Sequence, residues 1–136
     1  MSVTRLPSAS PGRLQRLIGS TRFWRVALAV LACVITVLAL MPAPPSEADL
    51  GWDKLNHALA FFSLAVCARY SGLRVRWPVL AVVVALLLYG GAIELVQGQV
   101  GRDADWADLL ADGVGVAVGM VATLLLSRAA LMSRRR

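Results

Sequence analysis

Charge is scarce in this chain, and so are the residues from which most soluble sites are built. Only 16% of its 136 residues are charged while 58% are hydrophobic, a balance that excludes an ordinary soluble domain. The two cysteines, Cys33 and Cys67, each lie inside an apolar run, so neither belongs to a disulfide framework or a Cys-x-x-Cys metal cluster. They read as small residues facing lipid or a neighbouring helix. A single histidine rules out a His-Glu-x-x-His zinc motif, and no serine or cysteine stands beside a plausible base. The net charge of +6 raises the question of nucleic acid, but no basic stripe or aromatic platform accompanies it. Nucleic acid is excluded as a partner, and the charge points to membrane topology instead.

What the chain has is long apolar runs. Residues 1–22 are polar and basic, a cytoplasmic lead-in in which Leu14, Leu17 and Ile18 allow one amphipathic turn at the membrane surface. The first run, Phe23 to Met41, is nineteen residues long and at ~1.5 Å per residue nearly matches the ~30 Å hydrocarbon layer. A cleaved signal peptide is the alternative reading, but the run is longer than a usual signal core and proline follows it, which favours a retained anchor. Pro42, Pro44 and Pro45 stop that helix. After an acidic loop and Trp52, an interfacial anchor, a short second span runs from Asp53 to about Tyr70. Arg69, Arg74 and Arg76 form a basic connector, Trp77-Pro78 opens a third span reaching about Gln97, and Trp106 begins a fourth that reaches about Leu126. The expected fold is therefore all-α: an integral membrane bundle of four transmembrane helices. It divides into a basic segment (1–22), the membrane domain (23–127) and a basic tail (128–136).

Twelve of the fourteen Lys and Arg residues fall in the lead-in and first-span start, the central connector and the tail, and all eight acidic residues fall towards the opposite ends of the spans. Positive residues collect in short cytoplasmic loops. Both termini are therefore expected inside a bacterial cytoplasmic membrane, with an acidic face outside.

Five of the eight acids lie in the stretch Glu94 to Asp112, which closes the third span and opens the fourth. Asp53 and His57, four apart, share one helix face; Glu94 and Gln97, three apart, share another; Asp105, Asp108 and Asp112 follow a 3 and 4 spacing that Gly115 and Gly119 continue inward. Glu94 lies sixteen residues beyond Pro78, ~24 Å along the helix and about one turn inside the outer boundary. An acid facing lipid there costs about 2.5–3.5 kcal/mol, so these groups should face one another or a wet cavity. The expected pocket is Asp53, Lys54, His57, Glu94, Gln97, Arg102, Asp108 and Asp112. Asp103 and Asp105 are expected as solvated loop charges or a cap for the fourth span, and Gly115 and Gly119 as a helix-packing pair.

The stretches DKLNHALAFF, ELVQGQVGRDADWADLLAD and GVGVAVG together resemble the VanZ-like family of small bacterial membrane proteins. The matching positions are Asp53, Lys54 and His57, then Glu94 and Gln97, Arg102, Asp108, Gly115 and Gly119, and the likeness covers about residues 25 to 126. Where that family commonly has Asn before the glycines, this chain has Asp112, which adds a charge and removes an amide donor. The resemblance implies the four-helix membrane fold and, distantly, an association with glycopeptide resistance.

Three functional classes remain open on these residues. One is a module binding an outer-leaflet lipid or lipid-linked envelope intermediate, with Arg102, Lys54 and His57 meeting an anionic head group and Glu94, Gln97 and Asp108 holding sugar or amide groups; a divalent metal could join the excess carboxylates to phosphate. A second is an intramembrane enzyme in which His57, Asp53, Glu94 and Asp108 hold a metal. A third is a structural membrane subunit whose polar network sets helix packing.

Overall fold

In the computed structural model of the chain, the described residues are 17–41, 53–73, 77–100 and 105–133, with Leu131 described by its backbone alone. They form four helices, α1 (Thr21–Leu40), α2 (Asp53–Tyr70), α3 (Val79–Gln97) and α4 (Trp106–Ser133). Among the described residues there is no strand.

Local chemistry sets each boundary. Ser20 caps α1 by accepting the Phe23 N–H at 3.4 Å, and Pro42 follows the helix after Met41. α2 ends at a turn in which Gly72 has φ of 79°, a left-handed conformation that costs glycine nothing. Pro78 leads into α3, its carbonyl accepting the N–H groups of Ala81 and Val82. Asp105 caps α4, its carboxylate accepting the Ala107 N–H at 2.9 Å.

The helices run alternately up and down. At one end Arg25 Nε of α1 donates to Ser71 O just beyond α2 (2.9 Å), and Arg69 of α2 reaches Ser127 Oγ of α4 (3.3 Å). At the other end Gln97 Nε2 of α3 donates to Ala39 O of α1 (3.0 Å), while His57 of α2 meets Asp112 of α4. Between these ends, Tyr89 Oη and Thr36 Oγ1 lie 2.8 Å apart and share the Ala32 carbonyl, tying α3 to α1. Without such partners these hydroxyls would be unsatisfied at apolar depth.

The widest helix contact is α2 on α4, and small residues make it close. A Cβ on Gly115 would collide with the Ala58 carbonyl oxygen and lie 2.9 Å from its carbon. On Gly119 it would lie 2.8 Å from Phe62 O and 2.9 Å from Ala65 Cβ. Residues without a Cβ let two helix backbones approach this closely. The core beside it is Phe61, Leu64, Ala65, Ala68, Val82, Val116 and Met120.

Three helices, α1, α3 and α4 over Trp106–Ala130, are long and apolar enough to cross a membrane. Their exposed faces carry valine and leucine: Val26, Val30, Val34 and Val37 on α1, Leu80, Val84 and Leu88 on α3, and Leu110, Val114, Val118 and Leu125 on α4. The fourth, α2, has eighteen residues and begins with Asp53, Lys54 and His57. Only Leu55 and Leu59 are large apolar residues exposed on it, because α1, α3 and α4 all pack against it.

Candidate functional site

Every acidic residue among those described lies at the end of the bundle where α2 and α4 begin and α3 ends, and Lys54 is the one Lys or Arg described there. Arg22, Arg25, Arg69 and Arg128 lie towards the other end. The site is built from helix periodicity: Asp53 and His57 stand one turn apart on α2, and Asp108 and Asp112 one turn apart on the facing side of α4.

His57 is the centre of the cluster. Its Nδ1 is 2.9 Å from Asp112 Oδ1, and Asp112 is fully buried. An ionised carboxylate only accepts, so facing one Nδ1 carries the proton and donates, and in the neutral imidazole Nε2 then has the lone pair. That nitrogen lies 3.9 Å from Asp108 Oδ2, too far for a hydrogen bond. Asp53, His57 and Asp108 each offer one ligand atom, all within 4.8 Å of one another, and together they could hold a metal ion. Asp108 is buried by neighbouring residues while Asp53 is exposed, so the group opens outward.

Lys54 closes the upper side. Its Nζ is 2.8 Å from Asp105 Oδ2 and 3.3 Å from Asp108 Oδ1. The hydrogen bond from Lys54, with that from the Ala107 N–H, holds the Asp105 carboxyl below the usual carboxylate range. Glu94 reaches the same group from α3: Oε2 accepts the Asp105 N–H at 3.0 Å, while Oε1 is buried without a hydrogen-bond partner among the described residues. Asp112 Oδ2 is likewise buried and unpartnered among the described residues. It presses on Gly90 of α3, where any Cβ would collide with it.

Of the expected pocket residues, the structure brings together Asp53, Lys54, His57, Glu94, Asp108 and Asp112. Gln97 is buried but turned away, its amide spent on the Ala39 carbonyl of α1. Arg102 and Asp103 lie outside the described residues, as does Trp52. Asp105, expected as a cap or a loop charge, does cap α4, and in addition its carboxylate and its N–H link Lys54 to Glu94. Gly90 escaped sequence reasoning altogether. Its only sequence signal is the Gly90-Gly91 pair inside an otherwise bulky apolar helix.

Comparisons with protein-family models, curated proteins and solved structures returned no match.

Proposed function

We propose that the chain is a four-span membrane protein, VanZ-like in kind, that binds the hydroxyl-rich head group of a lipid-linked envelope component at its acidic end. In this reading α2 crosses with the other three helices, both termini are cytoplasmic, and the acidic end faces outward from a bacterial cytoplasmic membrane. The arginines at the opposite end support that orientation, since positive charge is retained on the cytoplasmic side. An alkaline phosphatase fused after Gly101 is then active in bacteria, and an inactive fusion overturns the orientation.

The observation that carries the binding reading is the accumulation of buried carboxylate on one small face. Glu94, Asp108 and Asp112 are 2%, 4% and 0% exposed. Burying an ion costs several kcal/mol unless partners repay it, so a cluster with two unpartnered oxygens is a poor device for stability alone. Hydroxyl groups of a sugar donate to carboxylates, here first to those of exposed Asp53 and Asp105 at the mouth of the cluster, and Lys54 adds one cationic contact. Because the Gln97 amide is spent on α1, the face is richer in acceptors than in donors. That favours a head group bearing many hydroxyls over a bare phosphate.

Photolabelling in nanodiscs tests this directly. A photoactivatable glycolipid should label wild type more than a photoactivatable phosphatidylglycerol does, and Glu94→Gln with Asp108→Asn should abolish the difference. Equal labelling of both lipids, or labelling unchanged in a folded double variant, counts against the reading.

A further inference from the structure

The carboxylates at the acidic end outnumber the cations that face them. Among the described residues there, Asp53, Glu94, Asp105, Asp108 and Asp112 stand against Lys54 alone, a formal charge of −4, or −3 with His57 protonated. The Lys54 ammonium is already shared between Asp105 and Asp108. Glu94 and Asp112, each at least nine-tenths buried, both keep an oxygen with no hydrogen-bond partner among the described residues. A second cation would offset this imbalance in the way that buried charge requires.

We propose that Asp53, His57 and Asp108 bind a divalent transition-metal ion, zinc in preference to manganese, with Asp112 as the positioning residue that fixes His57. Three features of the geometry assign it. Ligands of one zinc ion stand about 3–4 Å apart when each metal bond is ~2.0–2.2 Å, and Nε2 to Asp108 Oδ2 is 3.9 Å. Asp53, exposed at the start of α2, closes the remaining distance by rotating its carboxylate. The buried Asp112 carboxylate stands 2.9 Å from Nδ1, so that Nε2 is the nitrogen left facing Asp108; a metal-ligating histidine characteristically has such a carboxylate behind it. One imidazole among carboxylates ranks zinc above manganese, and magnesium, which keeps its water and prefers oxygen alone, below both.

Three protein ligands would leave a bound ion one position for a phosphate or hydroxyl oxygen, and the exposure of Asp53 gives such an oxygen access to the group. The ion site does not depend on the head-group reading. It would give that reading a way to hold a phosphate against an acidic face.

Equilibrium dialysis of the full chain in detergent micelles, stripped with a chelator and then loaded with zinc, manganese or magnesium alone, tests the assignment. Zinc should bind at one ion per chain and most tightly of the three. Asp53→Asn, at an exposed position, should keep the fold and lose the ion, and His57→Gln should lose it as well. Asp112→Asn, which touches no ion, should weaken binding about 10–100-fold. Cobalt substituted for zinc should give visible bands that change in His57→Gln. Zinc affinity unchanged in Asp53→Asn, or zinc bound equally well by a folded His57→Gln protein, overturns the site. Glycolipid labelling in the absence of zinc binding would refute the metal and leave the head-group reading standing; zinc binding without labelling would do the reverse.

Discussion

Replacing Gly115 by alanine adds one methyl group at the closest point between α2 and α4. The new Cβ would run into the carbonyl oxygen of Ala58 and lie 2.9 Å from the Ala58 carbon and 3.0 Å from Phe62 N. All three are backbone atoms of α2, so no side chain can swing aside and the helix itself must shift. Overpacking of this kind costs about 1–3 kcal/mol. Ala58 is next to His57, and Gly115 is three residues beyond Asp112, so the same shift draws the imidazole from the carboxylate it meets at 2.9 Å. Losing that charge-assisted bond adds about 1.5–3 kcal/mol. The expected loss is therefore about 2.5–6 kcal/mol, read as a lower midpoint in unfolding from micelles. Gly91→Ala is the internal control, since nothing lies within 4 Å of its Cβ. There, alanine should stabilise the helix by up to about 1 kcal/mol. Equal midpoints for the two variants would refute the packing of α2 on α4 described above.

Further outcomes follow from single contacts. Gln97→Leu should cost about 0.5–1.5 kcal/mol by removing the amide that donates to the Ala39 carbonyl, and should leave zinc binding intact because the residue faces α1. Tyr89→Phe should cost about 0.5–1.5 kcal/mol in the same unfolding assay, with Thr36 keeping its own bond to Ala32. Asp105 gives a pH dependence with a definite sign. Its carboxyl titrates below its unfolded value because of Lys54 and the Ala107 N–H, so its contribution is present above the ordinary carboxylate range and lost as pH falls through the depressed value. Asp105→Asn should flatten that acid limb of the stability curve, and an unchanged limb would show that the ion pair contributes nothing.

The helices were legible because their punctuation is covalent. Pro42, Pro78 and Gly98 bracket runs of membrane length, and the expected limits of α2 and α3 coincide with the structural ones. The cluster was legible for a similar reason: the four-residue spacings Asp53/His57 and Asp108/Asp112 each define one helix face whatever the neighbours are. Which neighbour a face meets is a matter of packing, and there the sequence was silent. Glu94 and Gln97 share a face at three-residue spacing, yet the turn of α3 sends Glu94 to the start of α4 and Gln97 to the end of α1. Asp105 reads as a cap from its position before an apolar helix. Its second role needs Lys54, fifty-one residues away in sequence. The eighteen residues of α2 read as a short span, and that all three other helices pack against it is seen only in the structure.

The central claim is that the buried carboxylates of the acidic end serve a ligand rather than helix packing. Native mass spectrometry of the chain released from its own membrane, wild type against Asp108→Asn, tests it most directly. The account predicts a retained lipid with a hydroxyl-rich head group on wild type and its loss from a variant that unfolds at an unchanged midpoint. The same bound lipid on both, or a variant that carries none because it no longer folds, would contradict it.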